Sequence, residues 1–163
     1  MSVTTTIQVS FSWEEYENTE RALAKKIAES DWKFDQIVGI ARGGMFICDC
    51  LSRIFEKPIA LIVASSYKNK TQEELALSEE VAMVTSKIGK RILLVDDLVD
   101  SGVSLEKTKQ FLKKKFPEIE EVRTAVLYKK SCTRFAPDYH ALDIEDGVWI
   151  DQPFEKFDQE KLT

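Results

Sequence analysis

The stretch RILLVDDLVDSG, residues 91–102, decides the fold class of this chain. Its four consecutive apolar residues, 92–95, predict a buried β-strand, and SLEKTKQFLKKKF, 104–116, predicts an α-helix after it. Carboxylates at the end of a buried strand repel one another and resist desolvation, so a cation or hydrogen-bond donors must face them. The stretch therefore predicts a strand, a ligand-binding turn and a helix. The turn carries three carboxylates, Asp96, Asp97 and Asp100.

The same turn suits a phosphate group. Ser101, Gly102, Val103 and Ser104 lead into the predicted helix. The first N–H groups of a helix are unpaired and lie at the positive end of the helix dipole, so they bind anions. Gly102 lets the backbone turn and come close to a ligand, and the two serine hydroxyls add donors. A site for a diol or for Mg²⁺ therefore lies beside a site for a monophosphate, which matches the shape of a ribose 5-phosphate.

The rest of the chain alternates strands with helices. Further helices are predicted over 11–30, where Ser12 and Glu15 form a capping box, and over 45–55. Residues 68–80 predict an exposed loop. Strands are predicted over 34–41, 58–67, 81–86 and 121–130, and a short strand with an irregular tail ends the chain. This order predicts an α/β fold with a mostly parallel sheet flanked by helices. Ligands of such sheets bind at the carboxyl ends of the strands, where Arg42, Asp96 and Lys130 stand.

The composition is that of a globular protein with a single domain, since the chain has 163 residues. The net charge of −5 excludes a general basic field that would recruit nucleic acid. No apolar run approaches the ~20 residues of a membrane span, and the amino-terminal segment lacks the features of a secretory signal. An odd number of cysteines predicts free thiols in a reducing cytoplasm. We expect Cys48, Cys50 and Cys132 to be small packing residues, and His140 to lie in a polar turn without a chemical role.

The segment ILLVDDLVDSGVS, 92–104, closely resembles the phosphoribosyl pyrophosphate (PRPP) signature of type I phosphoribosyltransferases. That signature has four apolar residues, two acids, two apolar residues, an acid, Ser or Thr, Gly and a hydroxyl residue. The resemblance implies the type I fold in one domain, 1–163, with a core over 30–130. A small carboxy-terminal hood, 130–157 with the amino-terminal segment, would bind the base. It implies that Asp96 and Asp97 contact the ribose hydroxyls or the water shell of Mg²⁺, and that Ser101 to Ser104 hold the 5-phosphate. It also implies that Asp100 is the catalytic residue near purine N7, as proton acceptor or electrostatic partner.

Two further segments resemble loops of the same family. In IVGIARGGMF, Arg42 and Gly43 match the loop that binds pyrophosphate, often through a cis peptide bond, which would here join Ala41 and Arg42. The segment ASSYKNK, 64–70, matches the start of a flexible loop that closes over the reaction centre and excludes water. The loop residues implied are Ser65, Ser66 and Tyr67.

The end of the chain resembles the bacterial xanthine-guanine phosphoribosyltransferases. Lys130, Arg134 and Trp149 keep the family spacings, and WIDQP matches its context. This likeness implies that Lys130 donates to O6 of a 6-oxopurine, that Trp149 stacks on the purine ring, and that the backbone of Ile150 and the Asp151 region meet the 2-position. For Mg²⁺ it implies Asp97, with Asp96 and Asp151 as further candidate ligands.

Two departures from the family accompany these matches. The insertion between Asp97 and Lys130 is longer and holds a Lys-rich helix, and the flexible loop is acidic, TQEELALSEE. The first hypothesis is an Mg²⁺-dependent enzyme of purine salvage that joins PRPP to guanine, xanthine or hypoxanthine. It would be cytoplasmic and a homodimer or homotetramer. The second is a non-catalytic regulator that senses PRPP or a nucleotide, because one fold hosts several functions. The third, transfer to another base such as a pyrimidine, is opposed by the pairing of Lys130 with Trp149.

Overall fold

The computed structural model describes residues 6–68, 73–160 and 162, with the backbone alone at 67, 68 and 73. Three α-helices are described: α1 Trp13–Glu29, α2 Met45–Phe55 and α3 Val103–Lys115. A 3-10 helix spans Glu155–Gln159. The strands are β1 Ile7–Ser10, β2 Gln36–Ala41, β3 Ile59–Lys68, β4 Glu73–Leu77, β5 Ala82–Met83, β6 Arg91–Val99, β7 Glu121–Lys130, β8 Tyr139–Ile144 and β9 Val148–Asp151.

The main sheet is mostly parallel and runs in the order β4-β3-β2-β6-β7-β8, with β5 paired to β3. Strands β2, β3, β6, β7 and β8 are parallel, whereas β4 and β5 are antiparallel to β3. A separate pair of parallel strands, β1 and β9, joins the two ends of the described chain. The predicted α/β fold with a parallel sheet and flanking helices is therefore confirmed.

Alternate residues of the central strand β6 pack against opposite layers of helices. Leu93 and Val95 belong to the core cluster that includes side chains of α1 and α2. Ile92 and Leu94 belong to the cluster that includes Leu105 of α3. Successive side chains of a strand point to opposite faces, so a strand covered on both faces reads as one continuous apolar run. Burial of this run fixes β6 in the middle of the sheet and presents its acidic end at the carboxyl edge.

Several predicted elements are confirmed with their bounds. Helix α2 covers 45–55 and strand β7 covers 121–130, as the sequence predicts. The capping box of α1 is present, since Glu15 N donates to Ser12 Oγ at 3.2 Å and Ser12 N donates to Glu15 Oε2 at 2.8 Å. These hydrogen bonds lower the pKa of the Glu15 carboxyl. Helix α3 begins one residue earlier than predicted, with Gly102 as its N-cap.

Other predictions were wrong. The segment predicted as a loop forms the end of β3 and strand β4, in which the half-buried Leu75 and Leu77 alternate with the exposed Glu74 and Ala76. Residues 69–72 of that prediction lie outside the described residues. His140 lies in β8 rather than in a turn, and its Nε2 is 3.1 Å from Asp143 Oδ1. Strands β1 and β8 were not predicted, because both are short and lie at sheet edges. The strand expected over 81–86 is only the two residues of β5.

Candidate active site

Three neighbouring strands of the parallel sheet end at one edge, and the candidate site is built from the segments that follow them. Arg42 follows β2, Asp100 follows β6, and Lys130 ends β7. Because β6 lies between β2 and β7, these segments meet over the end of β6. Strand β6 continues through Asp96 and Asp97 to Val99, four residues further than predicted, and keeps its pairing with β7. The acidic turn is thus fixed to the sheet rather than free of it.

Asp96 and Asp97 are half-buried and hydrogen-bonded to the local backbone. The N–H of Asp97 donates to Asp96 Oδ1 at 2.9 Å, and the N–H of Leu98 donates to Asp97 Oδ1 at 2.7 Å. Burial, followed by the negative charge of Asp97, raises the pKa of the Asp96 carboxyl well above its ordinary value. A cation or a pair of hydroxyl donors would relieve this repulsion.

The loop after β2 comes so close to Asp97 that only glycine fits. A Cβ added at Gly43 would lie 2.4 Å from Asp97 Oδ2, and one at Gly44 would lie 2.7 Å from Ile40 O. The peptide bond between Ala41 and Arg42 is cis, as the family resemblance implies. A cavity of about 140 Å³ lies beside this loop, and its lining includes Arg42, Ser66, Asp96 and Ser104. Of the other residues expected in the flexible loop, Ser65 is exposed on β3, and the side chain of Tyr67 lies outside the described residues.

The turn before α3 has the geometry of an anion site. Gly102, the N-cap, has φ +90°, and as a glycine it has no side chain to cap the helix. The N–H of Val103 donates only a long hydrogen bond, 3.4 Å, to Ser101 Oγ. The turn lines a cavity of about 300 Å³ with residues 98–105 and Asp96. Unpaired N–H groups facing a cavity at a helix N-terminus can bind a phosphate. The N–H of Arg134 donates to Ser101 O at 3.3 Å and brings the segment after β7 to this turn.

A lysine and a cysteine meet Asp100. Lys130 Nζ lies 3.6 Å from Asp100 Oδ2, and the lysine side chain is 13% exposed while that of Asp100 is 62% exposed. Cys132 Sγ donates to Asp100 Oδ1 at 3.4 Å. Partial desolvation, followed by hydrogen bonds with Asp100 and Asp146, raises the pKa of the Cys132 thiol. The exposed carboxylate is thus held in place by the less exposed lysine.

The second sheet presents an aromatic platform. Trp149 on β9 is 56% exposed, whereas its neighbour Ile150 is buried. The carboxylate of Asp151 accepts from Trp149 Nε1 at 3.2 Å and from Ser10 Oγ at 3.2 Å, and it also accepts from Gln8. Strand β1 therefore helps to orient the indole through Asp151. An exposed indole fixed in this way can stack on a flat ring.

Two contacts in the site were not predicted. Cys132, expected to be a packing residue, is exposed and donates to Asp100. Gln152, which follows β9 directly, donates from Nε2 to Asp97 Oδ2 at 2.6 Å. The residue is the Q of the WIDQP motif, so its position in the motif was the only signal in the sequence.

A larger cavity, about 710 Å³, lies on the α2 side of Gly43 and Asp97, where the rings of Phe46 and Phe154 stack 4.9 Å apart.

The carboxylate oxygens of Asp96 and Asp97 fit a magnesium ion. Mg²⁺ takes oxygen ligands and is commonly held by one or two carboxylates together with substrate oxygens and water. Within residues 6–68 and 73–160, no group of three His, Cys, Asp or Glu side chains is arranged to hold a metal. The pair Asp96 and Asp97 is therefore not joined by Asp151, whose carboxylate accepts from three side chains instead. Substrate oxygens would have to complete the coordination.

Comparisons with known proteins agree with this architecture. The family model of the phosphoribosyl transferase domain matches residues 12–156. A xanthine-guanine phosphoribosyltransferase from Idiomarina loihiensis is 28% identical over 144 residues, which cover 88% of this chain and 84% of that protein. The crystal structure of a purine phosphoribosyltransferase from Pyrococcus horikoshii matches with a TM-score of 0.75 and 30% identity, covering 90% and 93% of the two chains. A xanthine-guanine-hypoxanthine phosphoribosyltransferase from Helicobacter pylori matches with a TM-score of 0.80 and 27% identity, covering 94% and 97%.

Among the described helices, none combines the length and the apolar character needed to cross a membrane.

Proposed function

Because this chain belongs to the phosphoribosyl transferase family, we propose that it transfers the ribose 5-phosphate of PRPP to a 6-oxopurine, giving a nucleoside monophosphate and pyrophosphate. The observation that carries this proposal is the 3.6 Å contact between Lys130 Nζ and Asp100 Oδ2. It places a lysine at the end of β7 against the third acid of the PRPP signature. The two groups can bind O6 and N7 of one purine, which lie on the same edge of that base.

PRPP would lie across the carboxyl edge of the sheet. The N–H groups and hydroxyls of Ser101 to Ser104 would hold the 5-phosphate, and Arg42 with the backbone at Gly43 would bind the pyrophosphate. Asp96 and Asp97 would accept from the ribose hydroxyls. Asp97, with Asp96 as a second carboxylate, would hold Mg²⁺, which when bound neutralises charge on the leaving pyrophosphate.

The base would enter from the side of β9. Trp149 would stack on the purine, and the backbone of Ile150 would meet the 2-position. We propose that β1, β9 and the 3-10 helix form the hood of a single domain whose core is the main sheet. The hydrogen bonds from Gln8, Ser10 and Trp149 to Asp151 support this arrangement, because they tie the amino-terminal strand to the aromatic platform.

Transfer would proceed by substitution at the anomeric carbon. The bond from C1 to the pyrophosphate oxygen breaks, and its electron pair leaves with the pyrophosphate. The lone pair of purine N9 forms the new bond to C1, and Asp100 accepts the proton that N7 loses. A base in this role must reach hydrogen-bond distance of the proton that it takes. The exposure of Asp100 leaves its carboxylate accessible to a purine.

The test is a direct assay of the purified protein with Mg²⁺ and PRPP. Guanine, xanthine, hypoxanthine, adenine and uracil are added in separate reactions, and each nucleotide is measured by chromatography. We expect at least one 6-oxopurine to be converted, adenine and uracil to be left unchanged, and a chelator to stop the reaction. Conversion of uracil instead would favour the third hypothesis, transfer of the ribose 5-phosphate to a pyrimidine. Absence of turnover with clear calorimetric binding of PRPP would favour the sensing regulator.

We also propose that the protein acts in the cytoplasm as a homodimer or homotetramer. Exposed apolar side chains on one helix, Met45, Phe46 and Ile54 of α2, support self-association. Light scattering after size exclusion chromatography measures the mass directly.

A further inference from the structure

Gln152 connects two parts of the site that otherwise belong to separate sheets. Its side chain is 5% exposed, and its Nε2 donates to Asp97 Oδ2 at 2.6 Å. It follows the last residue of β9 directly and stands three residues after Trp149 in the chain. Hydrogen bonds to an ionised acceptor are short and about twice as strong as neutral ones. A single side chain thus links the base-binding strand to a carboxylate of the PRPP turn.

The backbone of Gln152 is fixed as well as its side chain. The N–H of Gln152 donates to Glu155 Oε2 at 2.6 Å, and the N–H of Glu155 donates to Gln152 O at 2.9 Å. These reciprocal bonds close the turn between β9 and the 3-10 helix. A shift of β9 therefore moves the Gln152 amide with it.

Asp97 is constrained on three sides. Its Oδ1 accepts from Leu98 N, its carboxylate fills the space that a Cβ at Gly43 would take, and its Oδ2 accepts from Gln152. In the described part of the chain, the buried Gln152 Oε1 has no hydrogen-bond partner. A buried acceptor without a partner costs free energy, about 1–3 kcal/mol. The bond from Nε2 to Asp97 is thus the hydrogen bond that fixes the orientation of the amide in the described part of the chain.

We propose that Gln152 is a positioning residue that couples binding of the purine to binding of Mg²⁺–PRPP, by holding Asp97 in the orientation that PRPP requires. A base stacked on Trp149 fixes β9, and β9 fixes the Gln152 amide against Asp97. Coupling of this kind is reciprocal, so each ligand raises the affinity for the other by the same factor. The inference rests on the proposed function, since it assigns PRPP and purine to the two sides of this contact.

Calorimetric titration tests the coupling without turnover. Mg²⁺–PRPP is titrated in the presence and absence of a 6-oxo-9-deazapurine, which carries carbon at position 9 and lacks the nucleophilic N9. The coupling factor is the ratio of the two dissociation constants. For the wild type we expect a factor of about 10, within the usual range for coupled sites. For Gln152→Leu we expect a factor below about 2, because the donor to Asp97 is lost while the volume is kept.

Gln36→Leu is the matched control. Gln36 is also a buried glutamine, 1% exposed, whose amide bonds to Gly89 N and Thr85 Oγ1. It begins β2, at the end of the sheet away from the site. This variant should lose stability to a similar extent and keep the wild-type coupling factor. If Gln152→Leu fails to fold, Gln152→Asn, whose amide is one methylene too short to reach Asp97, takes its place.

The outcomes separate this proposal from the proposed function. A wild-type factor retained in the folded Gln152 variant overturns the coupling role. A wild type that binds both ligands with a factor near 1 also overturns it, and leaves the proposed function standing. A wild type that binds neither ligand contradicts the proposed function itself.

Discussion

Lys130 Nζ lies 3.6 Å from Asp100 Oδ2, where the end of β7 meets the turn that follows β6. The lysine is mostly covered and the carboxylate is mostly exposed. The lysine thus has little freedom to move, while the carboxylate remains open to a ligand. A purine that binds here would place its O6 and N7 against these two groups, and the first prediction tests the carboxylate of the pair.

Asp100→Asn should lower kcat by about 10²–10⁴-fold, the usual contribution of a general base. Binding of PRPP should change by less than about threefold, because the proposed phosphate site at 101–104 and the pair Asp96 and Asp97 remain. Steady-state rates and calorimetry measure the two effects separately. Asp143→Asn, at an exposed carboxylate on β8, is the control and should leave kcat unchanged. An unchanged kcat in Asp100→Asn would remove the proton-accepting role.

Trp149→Ala should weaken binding of the purine by about 1–3 kcal/mol, which is the usual contribution of one base stacked on an aromatic ring. The indole is exposed and is held by Asp151, so its removal opens no cavity in the core. Trp149→Phe keeps an aromatic face and should retain most of the affinity. Titration with the base measures both variants. Equal affinities for wild type and Trp149→Ala would be incompatible with stacking.

The sequence predicted the elements whose pattern is local. The apolar run of β6, the capping box of α1 and the bounds of α2 and β7 depend on neighbouring residues alone, and the structure confirms them. Strands β1, β4 and β8 were missed because short edge strands are stabilised by partners elsewhere in the chain. The alternation of Leu75 and Leu77 with polar or small residues was the available signal for β4.

The site was predictable only where a motif occupies one segment. The segment 92–104 placed three acids beside the start of a helix, and the parallel sheet placed Arg42 and Lys130 at the same edge. The contact between Gln152 and Asp97 joins residues 55 positions apart. No spacing rule of helix or strand relates such residues, so only the folded chain brings them together.

Gly43→Ala should disrupt the loop after β2, because the added Cβ would lie 2.4 Å from Asp97 Oδ2. Either the loop or the Asp97 carboxylate must move, so we expect KM for PRPP to rise at least about tenfold, a loss of 1.4 kcal/mol in binding. Gly89→Ala is the matched control, since its Cβ would lie 2.9 Å from Asp35 Cβ at the other end of the sheet. This control should lower the stability of the protein and leave KM for PRPP unchanged. Similar KM values for Gly43→Ala and wild type would show that the loop relaxes without cost.

Glu20 is a buried carboxyl on α1, 8% exposed. Burial raises its pKa from 4.5 to about 7, opposed by a hydrogen bond with the Cys50 side chain and supported by the negative charges of Glu17 and Asp49. The folded protein therefore binds a proton here that the unfolded chain releases between about pH 4.5 and 7. Ionisation of the buried group costs free energy only in the folded state, so stability falls as pH rises through this window and is level above it.

Glu20→Gln should remove this pH dependence. From pH 5 to pH 8, ionisation of Glu20 should lower the unfolding free energy of the wild type by about 1–3 kcal/mol, because one pKa unit corresponds to about 1.4 kcal/mol. The variant should not show this loss. Urea unfolding at the two pH values measures the difference. Glu14→Gln, at an exposed position on the same helix, should keep the wild-type slope. A Glu20→Gln protein that loses stability from pH 5 to pH 8 as steeply as the wild type would place the responsible proton on another group.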